Sequence, residues 1–367
     1  MQQHLIGDII DALQEWAPTA YAEDFDNTGL LAGDRSLACS GVLIAHDAVV
    51  TVIEQAIEQK CNLVVCFHPI LFSGLKKLTG STYVEKALLK AIQNDIAIYA
   101  LHTALDNHPQ GVNEASATAL GLQTTQKLIP QKDNLSQLVT YVPEADYAAV
   151  AFALHAAGAG ALGNYDTCHF ATPGTGQFRG NADSRPAIGQ AEEISRVKEI
   201  RLETLIEKHA QKNILKALFA THPYESVAYE LIPINNTDPS RGMGLLGELP
   251  EAMAPTSFME YCRSVFGTPV LRHSPLLDQK IRKVALLGGS GSFAIGAAKA
   301  AGADAFLTAD LKYHNFFEAE GKILLVDIGH YESEQFTQKI IHAHLEEKFP
   351  NFANISQSSA TNPVNYF

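Results

Sequence analysis

No stretch of the 367-residue sequence is long and apolar enough to cross a bilayer. The longest runs, such as Val284-Ala-Leu-Leu-Gly-Gly, fall far short of the ~20 residues a spanning helix requires. The N-terminus, Met1-Gln-Gln-His-Leu-Ile-Gly-Asp, lacks the basic, apolar, small-residue order of a signal peptide, so export is not indicated. Cysteine is sparse: five residues, Cys39, Cys61, Cys66, Cys168 and Cys262, odd in number and without a C-x-x-C pair. That excludes a disulfide framework and a sulfur-rich zinc or redox site, and leaves reduced, mostly buried thiols in a cytoplasmic protein. Positive charge is also short, with 27 Lys and Arg against 40 Asp and Glu, a net −13. Such a surface repels phosphate backbones and disfavours nucleic acid as a partner.

What is present is ordinary globular material. Apolar residues at 46% and charged residues at 18% suffice for sizeable cores and exclude a disordered, collagen-like or coiled-coil chain. The length predicts two or three domains of ~150 residues.

The first ~125 residues alternate helical and short buried segments: Leu5–Trp16 as helix, Gly41–His46 as strand, Val52–Lys60 as helix, Asn62–Phe67 as strand, Tyr83–Gln93 as helix and Ile96–Leu101 as strand. This is the rhythm of βαβ units around a covered sheet. The same rhythm returns in the last ~120 residues, with strands Lys283–Leu287, Asp304–Thr308 and Ile323–Val326 between helices Phe293–Ala301 and Glu334–Lys348. Between these α/β lobes, strands Leu138–Val142 and Val227–Ile234 and a helix Tyr147–Ala156 mark an inserted domain. Within it the Gly/Pro-rich stretch 157–186 reads as ordered loop, and the turn formers Asn235-Asn-Thr-Asp-Pro-Ser-Arg-Gly return the chain.

Acids and imidazoles gather where strands end, the place ligands occupy in α/β proteins. His68 follows a buried strand and is held out of helical geometry by Pro69. His102-Thr-Ala-Leu-Asp106 opens a loop after the next strand. Gly329-His330-Tyr-Glu-Ser-Glu334 opens a helix, which would put His330 and Glu334 on one face. Imidazole with carboxylate suits a divalent Zn, Fe, Mn or Ni ion with an open position for water, and so hydrolysis. A single histidine after a strand is more often a packing residue; three in the same context bring a metal level with that reading.

Other segments carry less. Thr308-Ala-Asp310-Leu-Lys312-Tyr-His314 reads as a receiver of an anionic group or as a solvated helix face. Gly288-Gly-Ser-Gly-Ser reads as a tight strand–helix turn or an anion cradle, without the G-K-[S/T] of a Walker loop. Asp24-Phe-Asp26-Asn27 reads as a turn or a pocket edge. In the insert, Thr172-Pro-Gly174-Thr-Gly176 and His222-Pro-Tyr224-Glu225 read as packed polar loops.

Taken in order, Phe25-Asp-Asn-Thr-Gly-Leu-Leu, Phe67-His-Pro-Ile-Leu-Phe, His102–Asp106, Gly288-Gly-Ser-Gly-Ser, Thr308–His314 and Gly329–Glu334 resemble the GTP cyclohydrolase 1 type 2 homologue family, the Nif-three-like proteins, across nearly the whole chain. The resemblance implies two similar α/β lobes, 1–125 and 242–367, forming the Nif-three-like fold. It also implies an inserted α+β ferredoxin-like domain, PII-like or CutA-like, over 126–241. It further implies a toroidal homohexamer with a dinuclear site held by His68, Asp106, His330 and Glu334. The family's first histidine of a His-His-Pro motif is here Phe67, which cannot ligate. That leaves a single ion of Zn, Fe or Mn, a weakly held second ion, or His102 as a substitute ligand, and one firmly held with one labile ion is the expectation. The expected activity is a metal-dependent hydrolase for a nucleotide-like or cyclic small molecule, with Glu334 or Asp106 aiding proton transfer. The alternative is a non-catalytic oligomeric scaffold or metal-handling regulator whose insert binds a ligand.

Overall fold

The structure is a computed structural model that describes residues 4–367; the opening Met1-Gln-Gln of the N-terminal reading lies outside the described residues. The chain forms two compact units, Met1–Pro130 with Pro239–Phe367, and Gln131–Asp238. The architecture is mixed α/β with three sheets.

The strands in chain order begin with β1 (Gly29–Ala32), β2 (Val42–Asp47), β3 (Leu63–His68), β4 (Ala97–Ala100) and β5 (Gln123–Gln131). They continue with β6 (Leu135–Pro143), β7 (His169–Arg179), β8 (Ile194–Glu207), β9 (Tyr229–Pro233) and β10 (Asp238–Met253). The last are β11 (Arg272–His273), β12 (Ile281–Ser290), β13 (Ala305–Ala309), β14 (Leu324–Asp327) and β15 (Asn354–Ser356).

In the first unit one sheet has the order β1-β4-β3-β2-β15, parallel except for β1. Its central strands are apolar on both faces because both are covered. On one face Val42, Ile44, Leu63 and Val65 pack against Ile6, Ile9, Ile10 and Leu13 of helix Ile6–Trp16 and against Ile341 and Leu345 of helix Thr337–Lys348. On the other, Leu43, Ala45, Val64 and Cys66 meet Val52, Ile53 and Ala56 of helix Val50–Glu58 and Ala87, Leu88 and Ala91 of helix Tyr83–Gln93. The latter helix starts where Thr82 Oγ1 accepts from the Glu85 amide at 3.2 Å. Each fully buried aliphatic side chain contributes about 1.5–3 kcal/mol.

The second sheet, β11-β14-β13-β12-β10-β5, has a parallel core of β12, β13 and β14. Helix Pro255–Phe266 covers one face through Phe258, Cys262 and Phe266, and Ile295 and Ala298 cover the other. Helix Phe293–Ala301 of the sequence reading is a 3-10 turn, Ser292–Ala294, running into helix Ile295–Ala300. The reading Glu334–Lys348 is two helices, His330–Glu334 and Thr337–Lys348.

The unit Gln131–Asp238 runs strand, helix, strand, strand, helix, strand, with sheet order β7-β8-β6-β9, antiparallel throughout. Val150, Leu154, Ile214 and Leu218 of its two helices pack on Leu138, Val142, Leu202 and Ile206. The reading of 157–186 as loop is corrected: β7 lies inside it, paired residue for residue with β8. As an edge strand β7 is largely exposed and tolerates Pro173 and two glycines, so its sequence lacks the usual strand signature. Helix Gln211–Thr221 and strand β8 also escaped the sequence reading.

Candidate metal centre

Parallel pairing aligns the strand ends that carry the polar residues. In the β2–β3 register Asp47 pairs with His68 and Ala45 with Cys66, which sets His46 beside Phe67 one step back. After β4 the chain closes one helical turn, His102–Asp106, rather than the loop expected there. After β14 a positive-φ Gly329 (φ 91°) turns the chain into helix His330–Glu334. Glu334 is 3% exposed, and it can sit so deep because Gly288 and Gly289 leave room. A Cβ on Gly289, whose φ is +67°, would lie 2.4 Å from Glu334 Oε1.

Three imidazole nitrogens converge on Glu334 Oε2: His68 Nε2 at 3.2 Å, His330 Nε2 at 3.3 Å and His46 Nε2 at 3.4 Å. None is aligned as a hydrogen bond, so Glu334 Oε2 and His46 Nε2 are buried without a hydrogen-bond partner, as is Asp106 Oδ1. His68 Nε2 and His330 Nε2 are 3.4 Å apart. Carboxylates hold the far side of the His68 and His330 rings and the ring of nearby His102. His68 Nδ1 meets Asp47 Oδ1 at 2.8 Å, His330 Nδ1 meets Asp310 Oδ2 at 2.7 Å, and His102 Nδ1 meets Asp26 Oδ1 at 2.7 Å. A carboxylate that accepts the Nδ1–H bond fixes the proton on that nitrogen and leaves Nε2 as the lone-pair side, the arrangement typical of metal-binding histidines.

Electrostatics describe an excess of acid in little space. Burial alone would raise the Glu334 carboxyl, but contact with His330, His46 and His68 outweighs it and holds Glu334 well below the usual range. Burial, reinforced by the Glu334 charge, pushes Asp106 well above its usual value. Burial would lower His68, yet Asp47 and Glu334 raise it to about 9; Asp310 and Glu334 likewise bring His330 to about 10. Without a cation the cluster balances its carboxylates by protonating imidazoles. Two ligand groups fit a metal ion geometrically, His68 with His330 and Glu334, and His46 with Asp47 and His68. The donor set of imidazole and carboxylate, with its orphaned buried atoms, suits a divalent transition ion.

Beside the cluster lies a cavity of about 240 Å³. His102, Asp106, His330 and Glu334 form its polar wall, and Phe25, Phe72 and Phe293 its apolar one.

Of the residues singled out in the sequence, His68, His330 and Glu334 are brought together, with Asp106 and His102 on the shared cavity. Asp310 serves as the partner of His330, while Lys312 and, on the 3-10 helix Tyr313–Ala319 that follows it, Tyr313 and His314 are exposed. Asp26, read as a turn or pocket edge, is the partner of His102 and also accepts from Thr103 N at 3.1 Å. The Gly288–Gly289 amides donate to Asn113 Oδ1 at 3.0 Å and Ser333 Oγ at 2.9 Å, so they are satisfied within the protein rather than free for a phosphate. His46 and Asp47 were missed; the only signal was that they end a buried strand just as Phe67 and His68 do. In the other unit, His222 bonds the Tyr141 carbonyl at 3.0 Å and accepts from the Tyr224 amide at 3.1 Å, which is loop packing. All five cysteines are free, and burial pushes the Cys39 thiol up to about 12. No helix of the described residues is long and apolar enough to cross a membrane.

Known proteins are similar to this chain along nearly its whole length. The GTP cyclohydrolase 1 type 2 homolog of Bacillus subtilis (strain 168) is 35% identical over 364 residues, spanning 98% of this chain and 97% of that protein. That of Halalkalibacterium halodurans is 35% identical over 343 residues, 93% and 91% of the two chains. Among solved structures, the Bacillus cereus protein related to NIF3 superposes with a TM-score of 0.83 at 34% identity over the full length of both chains. A Staphylococcus aureus protein superposes with a TM-score of 0.78 at 28% identity, also over both full lengths. The profile of Duf34/NIF3 (NGG1p interacting factor 3) matches residues 4–363, and the chain belongs to that family.

Proposed function

We propose that the first unit is the metal centre of a hydrolase acting on a nucleotide-like or cyclic small molecule. His68, His330 and Glu334 would hold a Zn, Fe or Mn ion, and Asp106 and His102 line the cavity beside them. The observation that carries the reading is the convergence of imidazole nitrogens on an orphaned, buried Glu334 oxygen at 3.2–3.4 Å. A divalent ion supplies Lewis acidity there, polarising the group under attack and easing proton loss from water. Asp47 and Asp310 fix the rings so that Nε2 faces inward. Asp106 and Glu334 border the cavity together, and one or other of these carboxyl groups aids proton transfer there. Phe25, Phe72 and Phe293 border the cavity as half-exposed aromatic rings, a lining suited to stacking on a planar substrate.

The test is elemental analysis of untagged protein purified without chelator and incubated with Zn, Mn or Fe, together with turnover on a panel of nucleotides and cyclic compounds. We expect one to two ions per chain in the parent, and loss of both metal and turnover in Glu334→Ala. Asp106→Ala should lose turnover while the oligomer persists. A parent that retains no ion, or Glu334→Ala that retains the parent's content, overturns the reading.

A second reading, a regulator whose insert binds a ligand, has its own support. The unit Gln131–Asp238 contains a cavity of about 860 Å³ bordered by Tyr141, Thr172, Gly174, Glu199, Arg201 and Tyr224. Metal without turnover, and binding of a small molecule by the insert, would favour it. We further infer Nif-three-like lobes over 1–125 and 242–367 and a ferredoxin-like insert, PII-like or CutA-like, over 126–241. The strand order β7-β8-β6-β9 with two helices supports the insert assignment. A cytoplasmic homohexamer completes the proposal, supported by the family resemblance and the unpaired thiols; analytical ultracentrifugation tests the subunit number.

A further inference from the structure

We propose that His46 is an additional protein ligand of this metal centre, supplied by β2 through Nε2. The inference rests on the metal reading above and assigns a residue that reading does not use. His46 is 2% exposed, and its Nε2 has no hydrogen-bond partner. That nitrogen lies 3.4 Å from Glu334 Oε2, which also lacks one. A buried imidazole nitrogen and a buried carboxylate oxygen left unsatisfied side by side are costly, and such pairs persist where a further group completes them.

The surroundings aim the ring. Phe67 lies 5.6 Å away on one side and Tyr331 5.1 Å on another, centroid to centroid, so the ring is walled by aromatics. The His46 ring also meets that of His68 edge to face at 4.7 Å. The backbone is fixed as well: β2 is paired with β3 and β15 on either side, and the His46 amide donates to Gln357 Oε1 at 3.1 Å. His46, Asp47 and His68 together satisfy the spacing of a ligand group. The position beside His46 on β3 is Phe67, buried and apolar, so β2 offers a donor at the level where β3 has none.

A merely structural His46 would stabilise the fold with or without metal; a ligand would be a burden to the empty site. The experiment compares parent, His46→Leu and His46→Gln as full-length proteins in three measurements. These are Zn affinity by chelator competition, the visible absorption of the Co-substituted forms, and urea unfolding of the metal-free forms. Loss of a second-shell partner alone weakens metal binding about 10–100-fold, so loss of a direct ligand should reach at least the upper end of that range. We expect that loss in both variants, a changed cobalt spectrum, and a metal-free His46→Leu that unfolds at the parent's urea concentration or above it. Parent-like affinity and spectrum in the variants of a parent that binds metal would overturn the assignment and leave the metal reading standing. A parent that binds neither Zn nor Co would overturn both. His46→Gln keeps a polar side chain and so provides the comparison if His46→Leu does not fold.

Discussion

Gly289 shows how much of the centre depends on one missing methyl group. Its φ of +67° disfavours any side chain, and a Cβ would overlap Glu334 Oε1 at 2.4 Å. Gly289→Ala should therefore destabilise the protein by about 2–4 kcal/mol and release metal, because strain and displacement of Glu334 act together. Urea melts and metal content check this; a change within about 0.5 kcal/mol would show that Glu334 yields easily. At this scale the sequence revealed the residues that follow apolar strands, His68, His102, Asp106, His330 and Glu334. It concealed Asp47, left Asp26 as a turn or pocket edge and left Asp310 between an anion receiver and a solvated face, because an aspartate that orients a histidine 20 or more residues away acts only through tertiary contact. His46 escaped because a histidine inside a strand otherwise resembles core.

The C-terminal segment 354–362 is the element that braces the centre from behind. β15 pairs with β2, Gln357 Oε1 accepts from the His46 amide, and the Thr361 hydroxyl donates to Asp47 Oδ2. Asp47 in turn holds His68. Thr361→Val should leave the unfolding midpoint nearly unchanged yet weaken metal binding, up to about 10-fold, through a looser Asp47. Chelator competition reads the effect, and an unchanged affinity would remove Thr361 from the support of the site. Elements with continuous apolar runs or helical spacing were legible: β2, β3, β12, β13 and β14 fell near their expected places, and helices Tyr83–Gln93 and Tyr147–Ala156 matched exactly. β7 and β15 were not, since an exposed edge strand and a three-residue strand lack the buried pattern that reveals the others.

For the whole molecule, acid is the informative stress. His108 is neutral in the fold: burial, and then the positive charges of Lys127 and Arg241, lower it to about 4, and its Nδ1 accepts from the Gln110 amide at 3.1 Å. An unfolded chain protonates the same imidazole near 6.5. Between those values the unfolded state binds more protons at this group, so the contribution of His108 to stability is full above pH 6.5 and falls as pH drops toward 4. The loss should reach roughly 2 kcal/mol by pH 4.5 and shrink in His108→Gln. Trp16, the single tryptophan, packs edge-on to His108 at 5.4 Å and stacks on His344 at 4.3 Å, so its fluorescence reports the transition. Equal losses in parent and variant would assign the acid sensitivity elsewhere.

The pairing of β15 with β2 also sets an order in time. The sheet that starts at Gly29 gains its last strand at Asn354–Ser356, about 250 residues after β4. At ~5–20 residues per second, a ribosome needs roughly 13–50 s to cover that distance. For that interval the first lobe waits with the β2 edge open, and neither Glu334 nor the Gln357 and Thr361 braces exist to complete the centre. On the metal reading proposed above, the donor set is complete only once Glu334 and its braces have been made, so a product terminated before them would carry the early histidines without their shared carboxylate partner.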